Sequence, residues 1–176
     1  MSNLSTSSRI TSAHFPLDTA CSIAQASGGE DPQALFQLLD HSAHAVLQHQ
    51  LLTINLYQAP LEQLTRLYSS NTQAYPIGGS KNKKGVPWGA HVLQQGRVYI
   101  GEGPEALRWA FDDHVLIQQL GLRSVINVPV RFRQQCLGTV NFLMPYDSIS
   151  EAQREMAILC ALLALPGLLQ AHQKQA

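Results

Sequence analysis

The shortages in this sequence narrow the field first. Charged residues make up 14% of 176 positions, and twelve basic side chains balance twelve acidic ones for a formal net charge of zero. A nucleic-acid binder needs a basic excess to neutralise phosphates, so that class of partner is set aside. Only three cysteines occur, Cys21, Cys136 and Cys160, widely spaced and with no CxxC pair. An odd, scattered set excludes a disulfide framework and fits a reducing, cytoplasmic setting. Long apolar runs are also missing. The most apolar stretch, Ala157–Leu169, is too short to span a bilayer and carries Pro166-Gly167. The N-terminus lacks the basic-then-apolar order of a signal peptide. Neither membrane nor nucleic acid is expected as a partner.

What is present is a globular composition, 45% hydrophobic, in a chain the length of one domain. Residues 1–29, rich in Ser, Thr and Ala, read as a tail whose first dozen residues are mobile, with Pro16–Ser27 as a possible short helix. The domain is expected over residues 30–176. Asp31-Pro32 starts a helix, Asp31 as N-cap and Pro32 in the first turn, and Leu35, Leu38, Leu39, Val46 and Leu47 give it an apolar stripe. Leu51–Tyr57 alternates as a strand, with Leu52, Ile54 and Leu56 opposed to Thr53, Asn55 and Tyr57. Gln63–Ser70 reads as its partner, with Leu64 and Tyr68 on one face and Leu67 on the other. Asn71–Pro87 is broken by Pro76, Gly78, Gly79, Gly85 and Pro87 and reads as a binding loop or lid. Its lysines, Lys81, Lys83 and Lys84, read as solvated, since no Walker-type motif follows.

Trp88–Gln95 is a short helix closed by Gly96, Val98–Ile100 a short strand, and Glu105–Asp112 and His114–Leu120 helical turns. Ser124–Phe132 and Cys136–Leu143 form a hairpin across Arg133-Gln134-Gln135, with Ser124, Asn127, Thr139 and Asn141 interrupting its apolar residues. A final helix starts at Ser148-Ile-Ser-Glu151, which has capping-box spacing, and should end or kink at Pro166-Gly167. Strand pairs between terminal helices make the fold class α+β.

This order of features resembles the GAF domain family. The likeness rests on Trp88-Gly-Ala-His-Val-Leu-Gln-Gln-Gly96, Val98-Tyr-Ile100, Asp112-Asp113, Leu120-Gly-Leu-Arg-Ser-Val-Ile-Asn-Val-Pro-Val130 and Leu137-Gly-Thr-Val-Asn-Phe142. It covers roughly Pro32–Leu169. The resemblance implies a free-standing domain with a central antiparallel sheet of about six strands. The N- and C-terminal helices would lie on one face, and short helices and loops would roof a small-molecule pocket on the other. It also implies a sensory, non-enzymatic role in a homodimer built on the long helices, signalling to a second copy or a separate output protein. No cofactor is named by it.

Departures from the family trim its options. The Asn-Lys pair of cyclic-nucleotide binders is replaced by Asn141-Phe142, and no cysteine lies between Cys21 and Cys136 to carry a bilin. The alternative on this scaffold is a small redox enzyme that reduces free methionine sulfoxide, which would need pocket cysteines. A dimerisation unit with a filled interior is the third reading. The ligand-lining residues expected are Tyr68, Ser70, Tyr75, Trp88, His91, Trp109, Asp113, Ser124 and Asn141. Asp112-Asp113-His114 reads as the N-cap of the turn that follows rather than as a catalytic cluster. His41, His44 and His49 complete no recognised metal spacing.

Overall fold

The computed structural model describes residues 15–174; the mobile tail expected over the first dozen lies outside the described residues. Six antiparallel strands form one sheet: β1 (Leu51–Gln58), β2 (Gln63–Ser69), β3 (Ser80–Asn82), β4 (Tyr99–Glu102), β5 (Ser124–Phe132) and β6 (Gln135–Met144). Their spatial order is β3-β2-β1-β6-β5-β4, so the first strand lies beside the last. One sheet face is covered by α1 (Leu17–Ser27), α2 (Pro32–Leu47), α6 (Glu151–Leu163) and α7 (Leu165–Gln173). The other lies under α3 (Pro87–Gly89), a π-turn over Ala90–Gln94, α4 (Gly103–Ala110) and α5 (His114–Gln119).

Strand alternation builds the larger core. Leu52, Ile54 and Leu56 of β1, with Ile126, Val128, Val140 and Phe142, pack against Phe36, Leu39, Ala157 and Leu168 of the long helices. Asp31 caps α2, its Oδ1 accepting from Gln33 N at 3.0 Å, as its position before Pro32 predicts. At α6 the capping box forms two residues later than Ser148–Glu151. Ser150 is the N-cap, and Gln153 Oε1 accepts from Ser150 N at 2.8 Å. Ser150-Glu-Ala-Gln153 has the same spacing, so the pattern was ambiguous and packing chose.

Two bulges decide which side chains reach which face. In β2, Tyr68 pairs with Ile54 but Arg66 with Asn55, so Leu67 is an extra residue. The expectation that Leu64 and Tyr68 share a face is therefore wrong. Leu67 and Tyr68 both join the helix-side core, while Leu64 and Arg66 face the other way. In β6 the extra residue is Leu137, between the Val130–Gly138 and Arg131–Cys136 pairs. The hairpin turn is also tighter than Arg133-Gln134-Gln135. Phe132 pairs with Gln135, and Arg133 and Gln134 take left-handed φ of 48° and 67°.

The C-terminal helix is interrupted just ahead of Pro166-Gly167, where an end or kink is expected: α6 ends at Leu163 and α7 begins at Leu165. Ala164 keeps helical angles and Pro166 falls in the first turn of α7, where its missing N–H is tolerated. Glu151–Gln173 is thus a 23-residue helical span, long and apolar enough by length and composition to cross a membrane. Here one side of it, through Met156, Ala157, Cys160, Ala161 and Leu168, is buried in the core.

Candidate functional site

The sheet face away from the long helices is polar at its centre. Thr53 and Asn55 of β1, Thr139 and Asn141 of β6 and Asn127 of β5 are all buried there. Register places Thr53 opposite Asn141, Asn55 opposite Thr139, and Asn127 opposite Asn141. Asn141 Nδ2 donates to Thr53 Oγ1 and to Thr139 Oγ1, both at 3.2 Å, and Asn141 Oδ1 accepts from Asn127 Nδ2 at 2.9 Å. Asn55 Nδ2 donates to Thr139 Oγ1 at 3.3 Å. The row ends in the roof, where Trp88 Nε1 donates to Asn127 Oδ1 at 2.8 Å. Buried amides must be paired, and here they pair sideways along the sheet.

Above Thr53, Asn55 and Asn141 lies a cavity of about 60 Å³. Leu51, Leu64, Arg66 and Leu143 complete its floor, and Tyr75, Gly79, Lys81 and Lys83 form one wall. Trp88, Phe111, Asp113 and Ile117 close the roof. One water needs roughly 10–15 Å³ on this measure, so the space suits a compact ligand.

Of the three lysines expected in solvent, Lys84 is exposed, but Lys81 and Lys83 are part of this wall. Ser80–Asn82 pairs with β2 as an edge strand, Lys81 opposite Leu64, and carries Lys81 inward. Lys83 is only 6% exposed, with its ammonium 5.2 Å from the Trp88 ring centroid. Burial first, then the charge of Lys81, lowers its pKa, against the opposing pull of Asp112 and Asp113. Asp113 begins α5 without capping it through its side chain; Oδ1 instead accepts from Lys81 Nζ at 2.6 Å. Burial would raise the Asp113 pKa, but the hydrogen bond and charge of Lys81 outweigh it and hold it below its usual value. Arg66 donates from Nη1 to Pro76 O at 2.9 Å, its guanidinium carbon 5.0 Å from the Tyr75 centroid, while Nε is buried with no acceptor. The Tyr75 hydroxyl is buried too and closes no well-formed hydrogen bond. Burial first, and then nearby Asp113, raise its pKa.

Of the nine residues expected to line a pocket, the structure brings together Tyr75, Trp88, Asp113 and Asn141. The other five lie elsewhere. Tyr68 is turned to the helices by the β2 bulge and donates to Asp40 Oδ2 at 2.6 Å. Ser70 is exposed, its Oγ accepting from Leu52 N at 2.9 Å. His91 bonds Val98 O at 3.2 Å and meets Tyr99 edge-on. Trp109 is 47% exposed and stacks on Tyr99, centroids 5.0 Å apart. Ser124 is fully buried, but it alternates with Val125 and so shares the helix-side parity of Ile126 and Val128.

Asp40 makes the Tyr68 correction testable. Its Oδ1 lies 2.6 Å from His49 Nε2; burial works against its charge, but the bonds from His49 and Tyr68 win and its pKa is lowered from 3.8. A depressed carboxylate stabilises the fold above the unfolded value and loses that contribution as pH falls through the lower folded one. Tyr68→Phe should cost about 2 kcal/mol, the worth of a hydrogen bond to a charged group. Urea unfolding at neutral pH measures this; any compound held in the cavity should bind the variant unchanged.

None of the three cysteines lines the cavity. Cys21 is exposed, Cys160 is buried in α6, and Cys136 contacts Gly138 O at 3.4 Å. Burial pushes the Cys136 thiol up to about 11, the wrong direction for a nucleophile.

Comparison with solved structures identifies the architecture. The GAF domain of a Coxiella burnetii phosphoenolpyruvate-protein phosphotransferase superposes with a TM-score of 0.70 at 10% identity, covering 90% of this chain and 95% of that one. The corresponding domain from Acinetobacter gives 0.68 at 15% identity, covering 89% and 94%. The GAF domain of a Bacillus halodurans two-component sensor histidine kinase gives 0.69 at 10% identity, covering 84% and 100%. The chain has the GAF fold. No protein-family model and no curated sequence matches it. In this GAF fold the cavity lies between the sheet and the roof of irregular loop and short helices, on the face the long helices leave free.

Proposed function

We propose that this GAF-fold chain is a sensory module that binds a small molecule in the cavity beneath Trp88. The observation that carries the reading is the half-enclosed space between a polar row on the sheet and a roof drawn from 71–117. A domain selected only to dimerise has no need of it. Sensor kinases and a methyl-accepting chemotaxis protein are among the structures with this fold. Ligand contact with Tyr75, Lys81 and Lys83 would order the roof, and the two-faced sheet would pass the change to α2 and α6. Ile158 and Leu162 of α6 are 39% and 64% exposed, which suits contact with a second copy or a separate output protein.

The test is hydrogen–deuterium exchange on the full chain, screened with small metabolites chosen by thermal shift. A compound that raises the melting temperature should slow exchange across residues 71–95 more than in β5 and β6. A panel that stabilises nothing, with Trp88→Ala merely destabilising, would overturn the reading.

A further inference from the structure

We infer that the ligand is a compact dianion, a short dicarboxylate or a small phosphate ester, held by Arg66, Lys81 and Lys83. This inference rests on the sensory reading of the cavity and names the chemistry it takes. Three cationic side chains line a space of about 60 Å³, and Asp113 is the only carboxylate with them. Lys81 uses that carboxylate at 2.6 Å, so neither Arg66 nor Lys83 has an ion-pair contact among the described residues, and Asp113 and, for Lys83, Asp112 act on them only at longer range. The chain as a whole has as many acids as bases, so a general surplus of cations does not account for the cluster.

Burying charge without a partner is costly, and folded proteins avoid it unless something else meets the charge. Lys83, at 6% exposure, has only the face of Trp88. Arg66 has given one nitrogen to Pro76 O, and its buried Nε has no acceptor; the buried Tyr75 hydroxyl closes no well-formed bond and has only the already engaged Asp113 carboxylate near it. These are donors without acceptors, which is what oxygen atoms of an anion supply. A guanidinium recognises carboxylate and phosphate alike, so both sources share one chemistry here. The size of the space keeps the ligand small, and the amides of Asn141 and its neighbours, satisfied by one another, leave the cations to set specificity.

Calorimetry and thermal shift on the full chain should use four- and five-carbon dicarboxylates, inorganic phosphate and a three-carbon phosphate monoester. Each organic anion is paired with its neutral amide or unphosphorylated counterpart. At least one dianion should raise the melting temperature, with its neutral counterpart at least tenfold weaker; the dicarboxylate and phosphate arms show which source applies. Lys83→Met and Arg66→Gln should each weaken binding at least tenfold. Ligand-free Lys83→Met should melt no lower than the parent, since a buried charge with no ion-pair contact is removed. A purely structural lysine would give the opposite. Equal binding of anions and neutral counterparts would overturn the dianion and leave the sensory reading standing. Should neither anions, their counterparts nor the wider metabolite panel shift the parent protein, both readings fall. If a variant does not fold, the paired comparison on the parent protein still decides.

Discussion

Gly138→Ala should severely destabilise the folded state. A β-carbon built on Gly138 would sit 2.0 Å from the backbone oxygen of Asn55 and 3.0 Å from Leu168 Cδ2. The first contact is with backbone, which no rotamer change relieves. Gly138 pairs with Leu56 across the two central strands and stands just after the β6 bulge, where the chains approach closely. Opening β1 from β6 would uncouple Asn55 from Thr139 and open the larger core. A loss above about 4 kcal/mol is expected, against a total stability of roughly 5–15 kcal/mol for a domain. Gly85→Ala is the control. It has φ +71° but nothing within 4 Å, so it should cost only about 1 kcal/mol. Circular dichroism melts of both variants decide the matter. A cooperative transition for Gly138→Ala within a few degrees of the parent would mean that the central strand pair is spaced otherwise.

Five strands and the terminal helices were legible from local patterns, whereas the count of about six came from the resemblance to GAF domains and the edge strand Ser80–Asn82 lay in a stretch read as loop. Alternation in Leu51–Tyr57, Asp31-Pro32 and the hairpin all carry unambiguous period or cap signals. The site was half legible, and the failures have separate causes. Tyr68 was placed by counting twos along β2, and one bulged residue, Leu67, reverses that count. Nothing in Gln63–Ser70 announces a bulge; it arises from pairing with β1. Ser124 was a parity error that the sequence itself could have exposed. It lies three residues from Asn127, so both cannot face the cavity, and Asn127 is the one opposite Asn141. Lys81 and Lys83 were read as solvated because a lysine between glycines usually is. Only the pairing of Ser80–Asn82 on the edge of β2 turns the segment inward. Arg66 went unnoticed since a lone arginine on a strand has no local signature.

Asn127→Leu should cost about 3 kcal/mol although it replaces a polar residue by an apolar one in a fully buried place. The substitution leaves Trp88 Nε1–H and Asn141 Oδ1 without their partners at 2.8 and 2.9 Å, and each orphaned buried group costs about 1–3 kcal/mol. Trp88→Phe removes the same hydrogen bond from the other end. A double-mutant cycle should therefore return a coupling of about 1–2 kcal/mol, because the second change removes a group the first had already orphaned. The same bond has a functional consequence. It ties the roof to the sheet at the end of the polar row, with Lys83 over the face of the indole. Asn127→Leu should consequently raise hydrogen exchange across residues 71–95 and weaken any ligand that needs the roof closed, while β1 and β6 stay protected. Additivity within about 0.5 kcal/mol, with exchange in the roof unchanged, would show that Trp88 is held by packing against Phe111 and not by the row beneath it.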